Sequence, residues 1–213
     1  MADLELFDDS GVRTVLCVVA HPDDMEYGGS AAVARWTRRG ATVSYLLLTA
    51  GEAGIRDRDP RDVATLRQRE QEAACHAVGV TDLRILDLPD GTLEYGLDLR
   101  RRIARVVREV RPDTVVTIDW AVEAGWGLNQ ADHRVAGMAT LDALRDADNP
   151  WVSGSCSRTR DSRHGAPNGC WSRARHRITR SNCPRRTSPR RSSRCAATSS
   201  TSGPWTGTRT RTR

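Results

Sequence analysis

No apolar run in this chain of 213 residues approaches the roughly 18 residues that cross a bilayer, so no membrane-spanning helix is expected. The opening residues are acidic (Asp3, Glu5, Asp8, Asp9) where a secretory leader is basic, so no signal peptide is expected either. Of the six cysteines, no two have CxxC spacing. Cys17 and Cys75 lie in apolar segments and are expected in the core, while Cys156, Cys170, Cys183 and Cys195 lie far downstream, with no secretory context for a disulfide framework. Together these features point to a cytoplasmic protein. Lysine is absent altogether: all 33 basic residues are arginine.

The overall charge of +6 averages two unlike parts. Up to Pro150 there are 18 arginines against 26 acids, a formal charge of −8, and from Trp151 onward 15 arginines against the single acid Asp161, a charge of +14. The isoelectric point of about 9.4 describes neither part, and it is no argument for nucleic-acid binding by the first 150 residues.

Those 150 residues alternate strand and helix patterns. Val12 to Val19 is a β-branched run of the kind found in strands buried on both faces. A helix follows from Ser30, a candidate cap, to Arg39, with Gly40 ending it. Val43 to Leu48 is a second strand, and a helix beginning near Asp62 closes at Gly79. Leu83 to Leu86 is a third strand. Leu99, Ile103, Val106, Val107 and Val110 form a helical stripe ending before Pro112. Thr114 to Ile118 is the fourth strand, and a last helix from about Asp132 to Asp146 places Val135, Met138 and Leu141 on one face. The alternation predicts an α/β fold, a Rossmann-like parallel sheet with helices on both faces. In such sheets, sites form beyond the carboxyl ends of the strands. "HPDD" follows the first strand, "GEAG" the second, "LPDG" the third, and "NQADH" lies between the fourth strand and the last helix.

His21 and Asp24 stand three apart around a turn that Pro22 keeps out of helix. Imidazole and carboxylate are good zinc ligands, and a catalytic zinc typically takes three protein ligands and a water. His133, at a helix start on the same edge, is the natural third ligand, which leaves Asp23 beside the metal as base for its water. An aspartate after a strand also caps helices, and a lone histidine is often only a surface or core residue.

"AHPDDMEYGGSAAVARW", "LLLTAGEAG", "LPDGTL" and "ADHRVAG" together resemble the LmbE-like, or PIG-L, family of zinc-dependent N-deacetylases, over about residues 12–150. The resemblance implies hydrolysis of the N-acetyl amide of an N-acetylglucosaminyl-type small molecule. His21, Asp24 and His133 would hold the zinc and Asp23 would serve as general base. Iron is an alternative, since two histidines and an aspartate suit either metal. It also implies substrate contacts for Glu52 and Asp90, with Arg67 as a further candidate to reach a substrate hydroxyl or phosphate. Relatives commonly read His-Pro-Asp-His at the last motif, whereas this chain reads Gln130-Ala131-Asp132-His133. Gln130 can donate a hydrogen bond to an oxyanion but cannot deliver a proton, so protonation of the leaving amine would fall to Asp23. Asp132 is expected to orient a neighbour in the site or to cap the last helix. An amidase acting on thiol conjugates through the same residues is the alternative within enzymes. An inactive truncated relative or a basic-tailed binding protein is the alternative outside them.

Residues 151–213 follow no such pattern. Arg, Ser and Thr make up 36 of these 63 residues, Val152 and Ile178 are the only branched aliphatics, and leucine is missing. So little apolar surface cannot offset the entropy of ordering the backbone. The segment is expected to be disordered or the product of a shifted reading frame, with nucleic acid a partner only if this basic stretch supplies the contact. The resemblance implies further strands past this point, so the sheet would then be incomplete at its C-terminal side.

Overall fold

The computed structural model describes residues 7–149, 151–152 and 177–180. Its core is a parallel sheet in the order β3-β2-β1-β4-β7. The strands are β1 (Thr14–Val19), β2 (Thr42–Thr49), β3 (Asp82–Leu88), β4 (Thr114–Thr117) and β7 (Arg177–Arg180). β1 is central because its valines, Leu16 and Cys17 carry no polar group to solvate, and every residue after Thr14 is buried. It pairs in register with β2 (Val15↔Val43) and with β4 (Val15↔Thr114).

Alternation along the strands divides the core into two halves. Val15, Cys17, Val19, Tyr45, Leu47 and Val116 pack on Val33, Trp36 and Cys75, from α2 (Ser30–Arg38) and α3 (Pro60–Val78). Leu16, Val18, Leu46, Leu48 and Val115 face the other way, onto Ile103 and Val107 of α4 (Leu97–Val110) and Ala136 and Ala143 of α5 (Ala131–Asp148). The expected doubly covered α/β sheet is therefore present. α3 starts as its sequence dictates: the Asp59 side chain accepts from the Arg61 N–H, and Pro60 takes the first turn. Such a cap is worth about 1 kcal/mol. Gly79, at φ 77°, ends the helix as expected.

Four details differ from the expectation. A short helix α1 (Asp24–Gly28) precedes α2, so Ser30 is the first residue of α2 rather than its cap, and no side chain caps that end. A small hairpin, β5 (Glu123–Ala124) and β6 (Gly127–Leu128), occupies the approach to α5. α5 does not turn the face carrying Val135, Met138 and Leu141 fully inward: Val135 packs on the core only in part, Met138 is exposed, and Ala136, Ala139, Thr140, Ala143 and Leu144 are the buried positions. The cause is close approach. A Cβ on Gly137 would lie 2.8 Å from both the Ile118 carbonyl oxygen and Trp120 Cβ, so only a face of small residues fits against the end of β4. Finally, Arg177–Arg180, inside the arginine-rich segment, pairs in parallel with β4 and extends the sheet beyond it. Residues 153–176 and 181–213 of that segment, on which the expectation of disorder or a frame shift falls, lie outside the described residues. Among the described residues, no helix is long and apolar enough to cross a membrane.

β1, β2 and β3 are laid down in one direction across the sheet and β4 then returns to the other side of β1, so the strand order reverses at β1. That reversal opens a crevice at the carboxyl ends of β1 and β4.

Candidate metal centre

The chain leaves β1 and turns at Pro22-Asp23 before α1. Ala20 O anchors this exit to the end of β2, accepting from Thr49 N at 2.9 Å and Thr49 Oγ1 at 3.0 Å. Asp23 takes the left-handed conformation, φ 78° and ψ −14°, which costs a non-glycine residue about 1–2 kcal/mol. Along a helix, neighbouring side chains diverge by about 100°, and along a strand they alternate. The left-handed residue lets the consecutive Asp23 and Asp24 both line one cleft. Helix α3 braces the turn. Arg67 Nη2 donates to Pro22 O at 2.8 Å and to Asp23 Oδ2 at 2.7 Å, and Gln71 Oε1 accepts from the Asp23 N–H at 3.0 Å. Gly51, at φ 69°, lies against the same turn, where a Cβ would be 3.0 Å from Pro22 Cδ.

Across the crevice α5 brings in His133. His133 Nε2 lies 3.1 Å from Asp24 Oδ1, and His21 Nδ1 lies 3.7 Å from Asp24 Oδ2. The three residues can each offer one ligand atom within 4.8 Å of the others. The two ring nitrogens that face away are both engaged. His133 Nδ1 meets Asn129 Oδ1 at 3.1 Å. His21 Nε2 lies 3.0 Å from Asp90 Oδ1 and 3.2 Å from Asp132 Oδ2. Outer partners of this kind fix the tautomer of a metal-binding imidazole and present its inner nitrogen. Burial raises the Asp24 carboxyl, but the two histidines outweigh it and hold the group down at about 2. Burial likewise lowers His21, and Asp24, Asp90 and Asp132 outweigh it to lift the imidazole to about 9. An anionic carboxylate between two oriented imidazoles fits a divalent ion.

The cleft in front of this group has a volume of about 420 Å³, and Asp23, Tyr27, Ile55, Arg67, Asp90 and Gln130 help to line it. His21, Asp24 and His133 thus meet as expected, with Asp23 and Gln130 beside them. The other candidates are tied up within the fold. Asp132 is fully buried behind His21, where it accepts from Gly91 N at 2.7 Å and Leu93 N at 3.1 Å; it orients a neighbour and does not cap α5. Glu52 Oε1 accepts from Asp90 N at 2.8 Å, and Asp90 Oδ2 accepts from Ala53 N at 2.8 Å, so this pair staples two loops together. Arg67 reaches the cleft with its guanidinium spent on the Asp23 turn. Two contributors were missed from sequence. Asn129 stands one helical turn before His133 and Gln71 one turn after Arg67, and only that four-residue spacing marked either.

Fold and side chains together define an α/β domain with a His-Asp-His group able to hold a metal ion at the strand-order reversal. The chain belongs to the PIG-L family, described as GlcNAc-PI de-N-acetylase, whose model matches residues 16–144. It is 34% identical over 149 residues to a diacetylchitobiose deacetylase from Thermococcus kodakarensis, covering 68% of this chain and 54% of that protein. It is 37% identical over 177 residues to a 1D-myo-inositol 2-acetamido-2-deoxy-alpha-D-glucopyranoside deacetylase from Kineococcus radiotolerans, covering 68% and 47%. In structure it is similar to the N,N'-diacetylchitobiose deacetylase of Pyrococcus horikoshii, with a TM-score of 0.63 and 26% identity over 67% of this chain and 53% of that one. The chain spans about half the length of these relatives.

Proposed function

We propose that residues 1–150 form a zinc-dependent N-deacetylase domain that hydrolyses the acetamide of an N-acetylglucosaminyl-type small molecule. The observation that carries the reading is the meeting of His21 Nδ1, Asp24 and His133 Nε2, each imidazole oriented by an outer partner, with Asp23 on the same cleft. The names of the relatives, which specify diacetylchitobiose and an acetamido-glucopyranoside of inositol, support the substrate class. His21, Asp24 and His133 would hold the zinc ion, which would supply Lewis acidity, lowering the pKa of a water to roughly 7 and drawing charge from an amide carbonyl.

The residues of the chain do the rest. Asp23 accepts a proton from the attacking water and delivers it to the departing nitrogen, so that acetate and a free amine leave. Gln130 projects from the cleft wall and donates a hydrogen bond to the carbonyl oxygen as negative charge builds there. Asp132 and Asn129 hold the two imidazoles against rotation, while Arg67 keeps the Asp23 carboxylate at the cleft.

The test is acetate release from N-acetylglucosamine conjugates by the full zinc-loaded chain. Asp23→Asn should keep stoichiometric zinc and abolish turnover, and His21→Ala should lose the metal. Near-normal turnover by Asp23→Asn would overturn the mechanism.

A further inference from the structure

Behind the cleft wall lies a buried polar side chain that the chemistry above does not use. Gln71, on α3, is only 2% exposed. A glutamine buried in an apolar half-core, beside Cys75 and under the sheet, is costly unless each of its polar atoms is committed. All of them are. Oε1 accepts from the Asp23 backbone N–H at 3.0 Å. Nε2 donates to Glu26 Oε1 at 3.2 Å and approaches Cys75 Sγ at 3.7 Å. The partners also fix the orientation of the amide, because an N–H at Asp23 requires the oxygen there and a carboxylate at Glu26 requires the nitrogen.

The backbone atom that Gln71 holds belongs to the single strained residue of the turn. Asp23 sits at φ 78°, and its N–H points toward α3 because the peptide is rotated out of the helical sense. If the residue relaxed to negative φ, this N–H would turn away from Gln71, and the side chains of Asp23 and Asp24 would diverge. Arg67, one helical turn earlier on α3, grips the same turn from the solvent side through Pro22 O and the Asp23 carboxylate. That grip can be exchanged for a substrate or a water, since the Asp23 side chain is 41% exposed. Gln71 itself is buried, so its bond to the Asp23 N–H is less open to such exchange.

We propose that Gln71 is a positioning residue for the reaction: through the Asp23 N–H it holds the left-handed turn that aims the base and the neighbouring metal ligand into one cleft. The proposal rests on the reading of Asp23 as base. Glu26 is the second half of the device, because it fixes the Gln71 amide from the far side.

The experiment compares the full zinc-loaded chain with two variants. Gln71→Met keeps the volume and removes both hydrogen bonds. The double variant Gln71→Glu with Glu26→Gln keeps an acceptor facing Asp23 and reverses the donor between the two side chains. The expected result is a loss of about 10- to 100-fold in kcat for the Met variant, with KM within twofold of wild type and one zinc still bound, and recovery to within about threefold in the exchanged pair. A Met variant with wild-type kcat would overturn the proposal. So would an exchanged pair as slow as the Met variant, since the loss would then come from packing alone.

Hydrogen exchange at the Asp23 amide gives a second readout that needs no turnover. It should be protected in the wild type and in the exchanged pair, and exchange at least tenfold faster in the Met variant. If the wild type releases no acetate, the reading of Asp23 as base fails, while the exchange measurement still decides whether Gln71 holds the turn. Unchanged protection in the Met variant would reject it.

Discussion

Asp132→Asn is the sharpest perturbation of the site, because it changes one atom of a side chain that is wholly buried. The carboxylate accepts three hydrogen bonds: Oδ2 from Gly91 N and from His21 Nε2, and Oδ1 from Leu93 N. An asparagine amide has one acceptor oxygen. With the oxygen at the Oδ2 position, the new NH₂ confronts the Leu93 N–H. Flipped, it confronts both the Gly91 N–H and His21. The first orientation is the lesser evil, and it forfeits one charge-assisted bond while stranding a buried donor. Hydrogen bonds to charged groups are worth about 1.5–3 kcal/mol each, and the bonds that remain are now to a neutral oxygen, so a loss of about 3 kcal/mol is expected. For a domain of this size, that lowers Tm by about 6–12 °C. His21 also loses part of its anchor, so zinc affinity should fall about 10- to 100-fold. Urea unfolding of the metal-free chain measures the first effect, and competition against a chromogenic chelator measures the second. If stability moved by less than about 0.5 kcal/mol and zinc affinity were unchanged, the assignment of Asp132 as the support of His21 would be wrong.

Three further outcomes are expected. His21 is held at about 9 by Asp24, Asp90 and Asp132 against the opposing effect of burial, so an incoming ion must displace its proton. Zinc affinity should therefore rise about tenfold per pH unit from neutrality and level off above pH 9, and a flat titration calorimetry series over that range would refute it. In the metal-free protein the same shift stabilises the fold fully below the ordinary value of 6.5, and that contribution disappears as the pH rises through about 9. Gly137→Ala places a Cβ 2.8 Å from the Ile118 carbonyl oxygen, a backbone atom that cannot swing aside. The variant should lose about 1–3 kcal/mol in urea unfolding; an unchanged midpoint would show that α5 is free to back away from β4.

The strands and long helices were legible because each states its own period. β1 is apolar and buried throughout after Thr14, and α4 repeats its stripe at Leu99, Ile103, Val106 and Val107, all buried. α5 was legible as a helix but not in its rotation, because branched side chains at Val135 and Leu141 outrank alanines on any hydrophobic scale, whereas the space at the end of β4 admits only small ones. The metal group was legible because its residue types are scarce and fall at strand ends. The supporting partners were not. Whether a carboxylate also holds a backbone amide depends on distances between loops, as Glu52 and Asp90 show by stapling one loop to the other. Asp23 in its left-handed turn left no mark in the sequence, since the residue that holds it, Gln71, lies on another helix.

The meeting of His21 and Asp132 joins points 111 residues apart along the chain. Considered as a polymer, most of the described domain is one large ring closed at the site, with the exit of β1 tied to the start of α5. A cation seated between His21, Asp24 and His133 would be the clasp of that ring, and clasps that close long rings withdraw the most freedom from an unfolded chain. Loss of the ion should therefore loosen the two ends of the domain together. Chelation would then be felt as global unfolding at lower temperature, well beyond the cleft where the ion sat.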